Sequence, residues 1–218
     1  MGFKMIRSLT KYYALLCLLT LLLALMLTNK GIAGETEQPQ QVIQNISEQI
    51  QKKLQNPSFT KNFSQVTSFV NNIIDPHVDF DKIAPLVLGK NWKAATPLEQ
   101  ERFKDEFRTL LVRTYSRAFV EYNQWTINFL PVEVANNATK ALVKTTVAQS
   151  GQQPVDLYYR MFLSRGEWKV YDIMIDGVSL VTNYRSTFND EIQNKGSLTA
   201  VIDNLAKRNA EALTNKPS

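Results

Sequence analysis

Asp172 and Asp176 stand four residues apart near the end of a predicted strand, and they are the carboxylates best spaced to work as a general acid and base. Beside Gly177, the same spacing suits a strand end at which carboxylates accept hydrogen bonds, and that is the reading it favours. His77, the one histidine, follows Pro76 and precedes Asp79 and Asp81. A single imidazole cannot build a His-rich metal site, and a histidine-activated nucleophile would need that same side chain. No G-x-S-x-G, G-x-x-x-x-G-K-[ST] or G-x-G-x-x-G motif occurs, and Gly89-Lys90 alone is too short to count as a nucleotide loop. We therefore assign no catalytic residue and no metal ligand. What the chain has in excess is apolar and aromatic surface. Leu110, Tyr115 and Phe119 come from a predicted long helix, and Ile127, Phe129, Val143, Leu157, Tyr159, Met161 and Val170 from predicted strands. The pattern points to binding rather than turnover, without naming a ligand.

The elements that must position these residues change character near the middle of the chain. From Gln40 to about Tyr122 the apolar spacing is helical. Val42, Ile43, Ile46, Ile50 and Leu54 form one stripe ending at Asn56-Pro57, and Phe63, Val66, Val70, Ile73 and Ile74 form a second ending at Asp75-Pro76. A short element from Asp79 to Leu88 closes at Gly89. Thr96-Pro97-Leu98-Glu99 is a capping box with proline at the first helical position. From Trp125 the period becomes two, with strands predicted at Trp125 to Val134, Thr139 to Ala148, Val155 to Leu163 and Trp168 to Ile175. Asn136-Asn137, Ser150-Gly151-Gln152 and Arg165-Gly166 separate them, and links this short make neighbours antiparallel. Amphipathic helices return after Gly177 and again after Gly196. The class is α+β, with helices covering one face of the sheet.

The first 33 of the 218 residues are expected to be an export signal. Lys4, Arg7 and Lys11 precede an uncharged run from Tyr12 to Leu27, and Gly31-Ile32-Ala33 supplies a small-x-small cleavage pattern. A spanning helix needs about 20 apolar residues, more than this run offers. Cleavage removes four basic residues and no acid, leaving 21 Lys+Arg against 20 Asp+Glu, a net charge of +1. A nucleic-acid partner would ask for a basic stripe, and none remains. Cys17, the single cysteine, leaves with the signal, so stability must come from packing. Export without disulfides fits a periplasm.

From Ala84-Pro85-Leu86-Val87-Leu88-Gly89-Lys90-Asn91-Trp92 through Thr96-Pro97 the chain resembles the MlaC, or toluene-tolerance, family. The likeness continues along Phe103 to Tyr122. It is strongest at Trp168-Lys169-Val170-Tyr171-Asp172-Ile173, Asp176-Gly177-Val178-Ser179-Leu180-Val181 and the helix with Tyr184-Arg185-Ser186-Thr187-Phe188, and it extends to Lys195-Gly196-Ser197-Leu198. The resemblance implies an NTF2-like curved four-stranded antiparallel sheet packed against helices, with an N-terminal helical subdomain. It frames the chain as a signal peptide at 1–33, a flexible mature N-terminus at 34–39, a lipid-binding domain at 40–208 and a flexible tail at 209–218. Within that domain the helical part spans about 40–122, the sheet about 125–176 and the C-terminal helices 178–208.

The implied function is that of a monomeric periplasmic phospholipid carrier, with bound phospholipid as cargo and no cofactor. The implied partners are an outer-membrane lipoprotein–porin complex and an inner-membrane ABC transporter with its lipid-channel subunit, and the implied outcome is outer-membrane lipid asymmetry. At about 0.8 kcal/mol per buried CH₂, two acyl chains with roughly 30 methylenes cost on the order of 20 kcal/mol to hold bare in water. A carrier needs an apolar hollow and no catalytic group. Carried onto this sequence, the tails lie against Ile127, Phe129, Val143, Val147, Leu157, Tyr159, Met161 and Val170. Val87, Leu110, Tyr115, Phe119 and Val181 close the other side, and Thr145 is a hydroxyl among the inward positions. The competing readings are an envelope assembly module with a filled core, and an NTF2-like enzyme using Asp172.

Overall fold

Proline opens three of the helices, where its missing N–H costs nothing: α1 at Pro39–Leu54, α2 at Pro57–Thr60 and the long α6 at Pro97–Glu121. Side-chain caps start most of the others. Asn62 accepts from the Gln65 N–H ahead of α3 (Phe63–Ile74), Asp79 from Lys82 ahead of α4 (Phe80–Leu88), and Ser179 from Thr182 ahead of α7 (Leu180–Lys195). A 3₁₀ turn at Asp75–His77 joins α3 to α4, the short α5 covers Lys90–Ala94, and α8 runs from Leu198 to Thr214. The computed structural model describes residues 38–214 apart from 122–124, 132–133, 136 and 150. The predicted signal at 1–33, positions 34–37, Tyr122, Asn136, Ser150 and positions 215–218 of the tail lie outside the described residues. Among the described residues no helix is long and apolar enough to cross a membrane.

The strands are β1 (Trp125–Phe129), β2 (Lys140–Gln149), β3 (Val155–Ser164), β4 (Glu167–Ile175) and β5 (Val178–Ser179), antiparallel throughout in the order β1-β2-β3-β4-β5. The sheet therefore has a fifth strand that the sequence pattern does not reveal, because two residues cannot display alternation. The first strand ends at Phe129, not Val134. The last helix continues to Thr214, through much of the segment expected to be a flexible tail. Its anchor is the buried Asn209, which accepts from Arg113 Nε at 2.8 Å and donates to the Glu106 carbonyl at 2.9 Å, tying α8 to α6.

Three packed clusters form the interior. Helices α4, α6, α7 and α8 close one around Phe103, Phe107, Phe188 and Leu205. The ends of α1, α3 and α6 meet around Ile50, Val66 and Val112. The third joins Val42 and Ile43 of α1 to Val143, Met161, Trp168 and Val170 of the sheet. The principal neighbours of α6 are α8, α3 and α4.

Candidate functional site

Ladder pairing fixes which side chains share a face, because residues directly opposite in an antiparallel pair point the same way. Ile127 lies opposite Val147, Phe129 opposite Thr145, Val147 opposite Val155 and Thr145 opposite Leu157. Val143 is paired with Tyr159, Leu157 with Ile175, Tyr159 with Ile173 and Met161 with Val170. All eight strand positions expected at the site thus share one face of the sheet.

That face has two different halves. In the first, Val143, Met161, Trp168 and Val170 are sealed beneath Val42 and Ile43 of α1, so the packing there is solid. In the second, Ile127, Val147, Val155, Leu157 and Ile175 are contiguous, half-buried and members of none of the three packed clusters. The solid packing of the first half contradicts a hollow beneath the whole sheet and leaves only the other end of the face for one. Thr145 sits at the boundary, fully buried, its hydroxyl donating to the Leu157 carbonyl at 2.9 Å. Beside it, burial pushes the Tyr159 phenol from 10.0 up to about 12, with the Thr145 hydroxyl pulling the other way. Tyr159 is nonetheless only half-buried by surface.

The helical positions are distributed differently. Val87, Val181 and Leu110 belong to the all-helical cluster, and Phe119 joins the α1–α3–α6 cluster with its ring 5.9 Å from that of Trp125. Tyr115 is half-buried, belongs to no cluster and shares a hydrogen bond with Tyr184; burial first, and then Tyr184, raises its pKa. The structure thus brings Ile127, Val147 and Leu157 together on the open half, with Phe129 and Tyr159, which pack against the sealed cluster, at its border. It places Val143, Met161 and Val170 in the closed half and Val87, Leu110, Phe119 and Val181 among packed helices.

Val155 and Ile175 join the open half without having been assigned to the site from sequence. Ile175 was hidden by a β-bulge: Arg160 pairs with Asp172 but Met161 with Val170, so Tyr171 is an extra residue on β4. Strict alternation from Val170 would turn Asp172 and Met174 to that face, and the bulge turns Ile173 and Ile175 there instead. Both phases of Ile173-Met174-Ile175 are apolar, so periodicity carries no signal to choose between them.

The two candidate acids serve the backbone. Asp172 is buried and accepts from Ser179 Oγ at 2.8 Å, from the Val181 N–H at 3.1 Å and from Arg160 Nη1 at 3.1 Å, pinning β4 to the start of α7. Asp176 accepts from the Asp156 N–H at 3.0 Å. Among the described residues no group of His, Cys, Asp and Glu could hold a metal ion.

Tyr159 makes stability depend on alkaline pH in a definite direction. The unfolded chain loses this proton near 10.0 and the folded chain holds it to about 12, so the unfolded state binds fewer protons in that window and stability falls as pH rises. The loss amounts to about 1.4 kcal/mol per pH unit across the window. Urea midpoints measured from pH 9 to 12 should decline less steeply for Tyr159→Phe than for the wild-type chain; parallel curves would contradict the burial of this hydroxyl.

Comparison with known proteins agrees with the fold. The MlaC protein family model matches residues 44–207. The toluene tolerance protein ttg2D of Pseudomonas putida is 28% identical over 185 residues, covering 83% of this chain and 85% of that protein. The intermembrane phospholipid transport system binding protein MlaC of Haemophilus influenzae is 26% identical over 169 residues, covering 75% and 78%. Among solved structures, a phospholipid-binding protein from Ralstonia solanacearum in complex with a phospholipid superposes with a TM-score of 0.73 at 31% identity, covering 81% of this chain and 99% of that one. Two of these relatives are named as binding proteins, in keeping with acids spent on hydrogen bonds rather than catalysis. A family match that runs from α1 to α8 across the whole sheet makes this chain a member of the MlaC family.

Proposed function

We propose that the open half of the sheet is the floor of a site for phospholipid acyl chains, and that the protein is a soluble periplasmic carrier. The observation that carries this reading is the contiguous patch of Ile127, Val147, Val155, Leu157 and Ile175, apolar and half-buried yet left out of every packed cluster. The solved relative holds a phospholipid, and a relative's name places it in an intermembrane phospholipid transport system.

In this reading, lipid passes between an outer-membrane lipoprotein–porin complex and an inner-membrane ABC transporter with its lipid-channel subunit, maintaining outer-membrane asymmetry. The chain's lack of a nucleotide-binding motif leaves energy input to the transporter. The test is direct. Organic extracts of the purified protein should contain phospholipid by mass spectrometry. Delipidation should lower the Tm, and adding phospholipid back should restore it by linkage. Repeated preparations without phospholipid, and a Tm indifferent to its addition, would refute the carrier.

A further inference from the structure

A second cleft, of about 380 Å³, lies where the α4–α5 corner meets α7 and is bordered by Gly89, Lys90, Thr182, Arg185, Ser186 and Asn189. Gly89 makes the corner with φ +55° and ψ −119°, a conformation that side chains rarely adopt. The corner brings Arg185 close, its Cδ and Nε each 4.0 Å from the position a Cβ on Gly89 would take. Arg185 Nε donates to the Leu86 carbonyl at 2.6 Å, which fixes the guanidinium and leaves both terminal nitrogens unspent. Among the described residues no carboxylate pairs with Arg185 or Lys90, and none borders the cleft. Thr182 and Ser186 stand one turn apart on α7, and neither hydroxyl is given to a backbone carbonyl, whereas Thr187 bonds back to Asn183.

The cleft between the 3₁₀ turn and β4 is the contrasting case. It is about 310 Å³, but Asp75, Asp79 and Asp81 line it, Arg108 pairs there with Asp75 at 3.2 Å, and Lys169 pairs with Glu167. Its charge is met from within.

We propose that the cleft at Gly89, Lys90 and Arg185 is a binding site for a phosphate group, presented by the head group of an anionic phospholipid at a membrane surface. A held guanidinium fork, a free ammonium and two neighbouring hydroxyls match the several acceptor oxygens of a phosphate. The cleft carries no carboxylate on its border to repel an anion, and its two cations stand side by side, as one phosphate requires. This site is separate from the proposed acyl-chain floor and does not rest on it.

The test uses the full chain, with Lys90→Gln, Arg185→Lys and the double variant Lys90→Gln/Arg185→Gln. Both side chains are exposed, so the variants should keep the wild-type Tm. The wild-type chain should co-sediment with vesicles of phosphatidylglycerol in phosphatidylcholine, and not with phosphatidylcholine alone. Binding should weaken roughly tenfold in the double variant and fade with added salt. Arg185→Lys, which keeps the charge and loses the fork, should also bind less tightly. Inorganic phosphate, titrated by NMR, is the second probe. Phosphate binding that the double variant abolishes, without vesicle binding, overturns the head group as source and leaves a free-phosphate site. Failure of the wild-type chain to bind either probe, or equal binding by the double variant, overturns the site itself. Phospholipid extracted from the same preparations reports on the carrier reading independently.

Discussion

Leu157→Trp should empty the protein of lipid while leaving it folded. Leu157 is half-buried, lies between Thr145 and Ile175 across the ladder and belongs to no packed cluster. An indole placed there enters the space assigned to the acyl chains. Added volume costs about 1–3 kcal/mol in a packed core, and the cost to the delipidated fold should lie at the lower end, because Leu157 belongs to no packed cluster. Phospholipid per chain should fall several-fold. Val143→Trp is the matched control on the sealed half of the same face, where exposure is 0%. There the added volume has nowhere to go, and a loss of about 3 kcal/mol or outright failure to fold is expected. Lipid content by mass spectrometry and Tm on delipidated protein measure both effects. Equal destabilisation of the two variants, with lipid retained in Leu157→Trp, would show that the two halves of the sheet are packed alike.

Among truncations the largest stability effect is expected from Phe103→Ala, about 3–5 kcal/mol in urea unfolding. Its ring is fully buried, stacked on Phe107 with centroids 5.6 Å apart and edge-on to Phe188 at 5.1 Å. The trio binds the long α6 to α7, so truncation opens a cavity at the joint between the two helices. A loss under about 1 kcal/mol would mean that the neighbouring rings collapse into the gap, contrary to the close-packed arrangement seen here.

How far the sequence could be read depended on whether each feature was written locally. The capping box was: the Thr96 N–H and hydroxyl both donate to Glu99 Oε2, and the Glu99 N–H donates to Thr96 Oγ1. The Thr199 hydroxyl bond to Glu99 Oε1 spans 100 positions and leaves no pattern. Strands β2 and β3 were legible because their alternation runs for ten residues between turn signals, and β4 because Gly166 and Gly177 bracket an apolar run. The short α2 and α5 have too few residues to show a stripe. The apolar positions of the face were legible for the same reason as the strands. Their division into a sealed and an open half was not, since it depends on where α1 lies across the sheet. Val42 and Ile43 announce an amphipathic helix without saying what it covers.

The extra residue in β4 makes the length of that strand as consequential as its side chains. Removing Tyr171 would restore unbroken pairing and leave every later residue opposite its present partner, whereas removing Ile173 would act like a frameshift. Met174 would then turn to the floor opposite Tyr159, and Ile175 would turn away from it. A one-residue deletion absorbed at the bulge would thus, two positions further on, disable the floor.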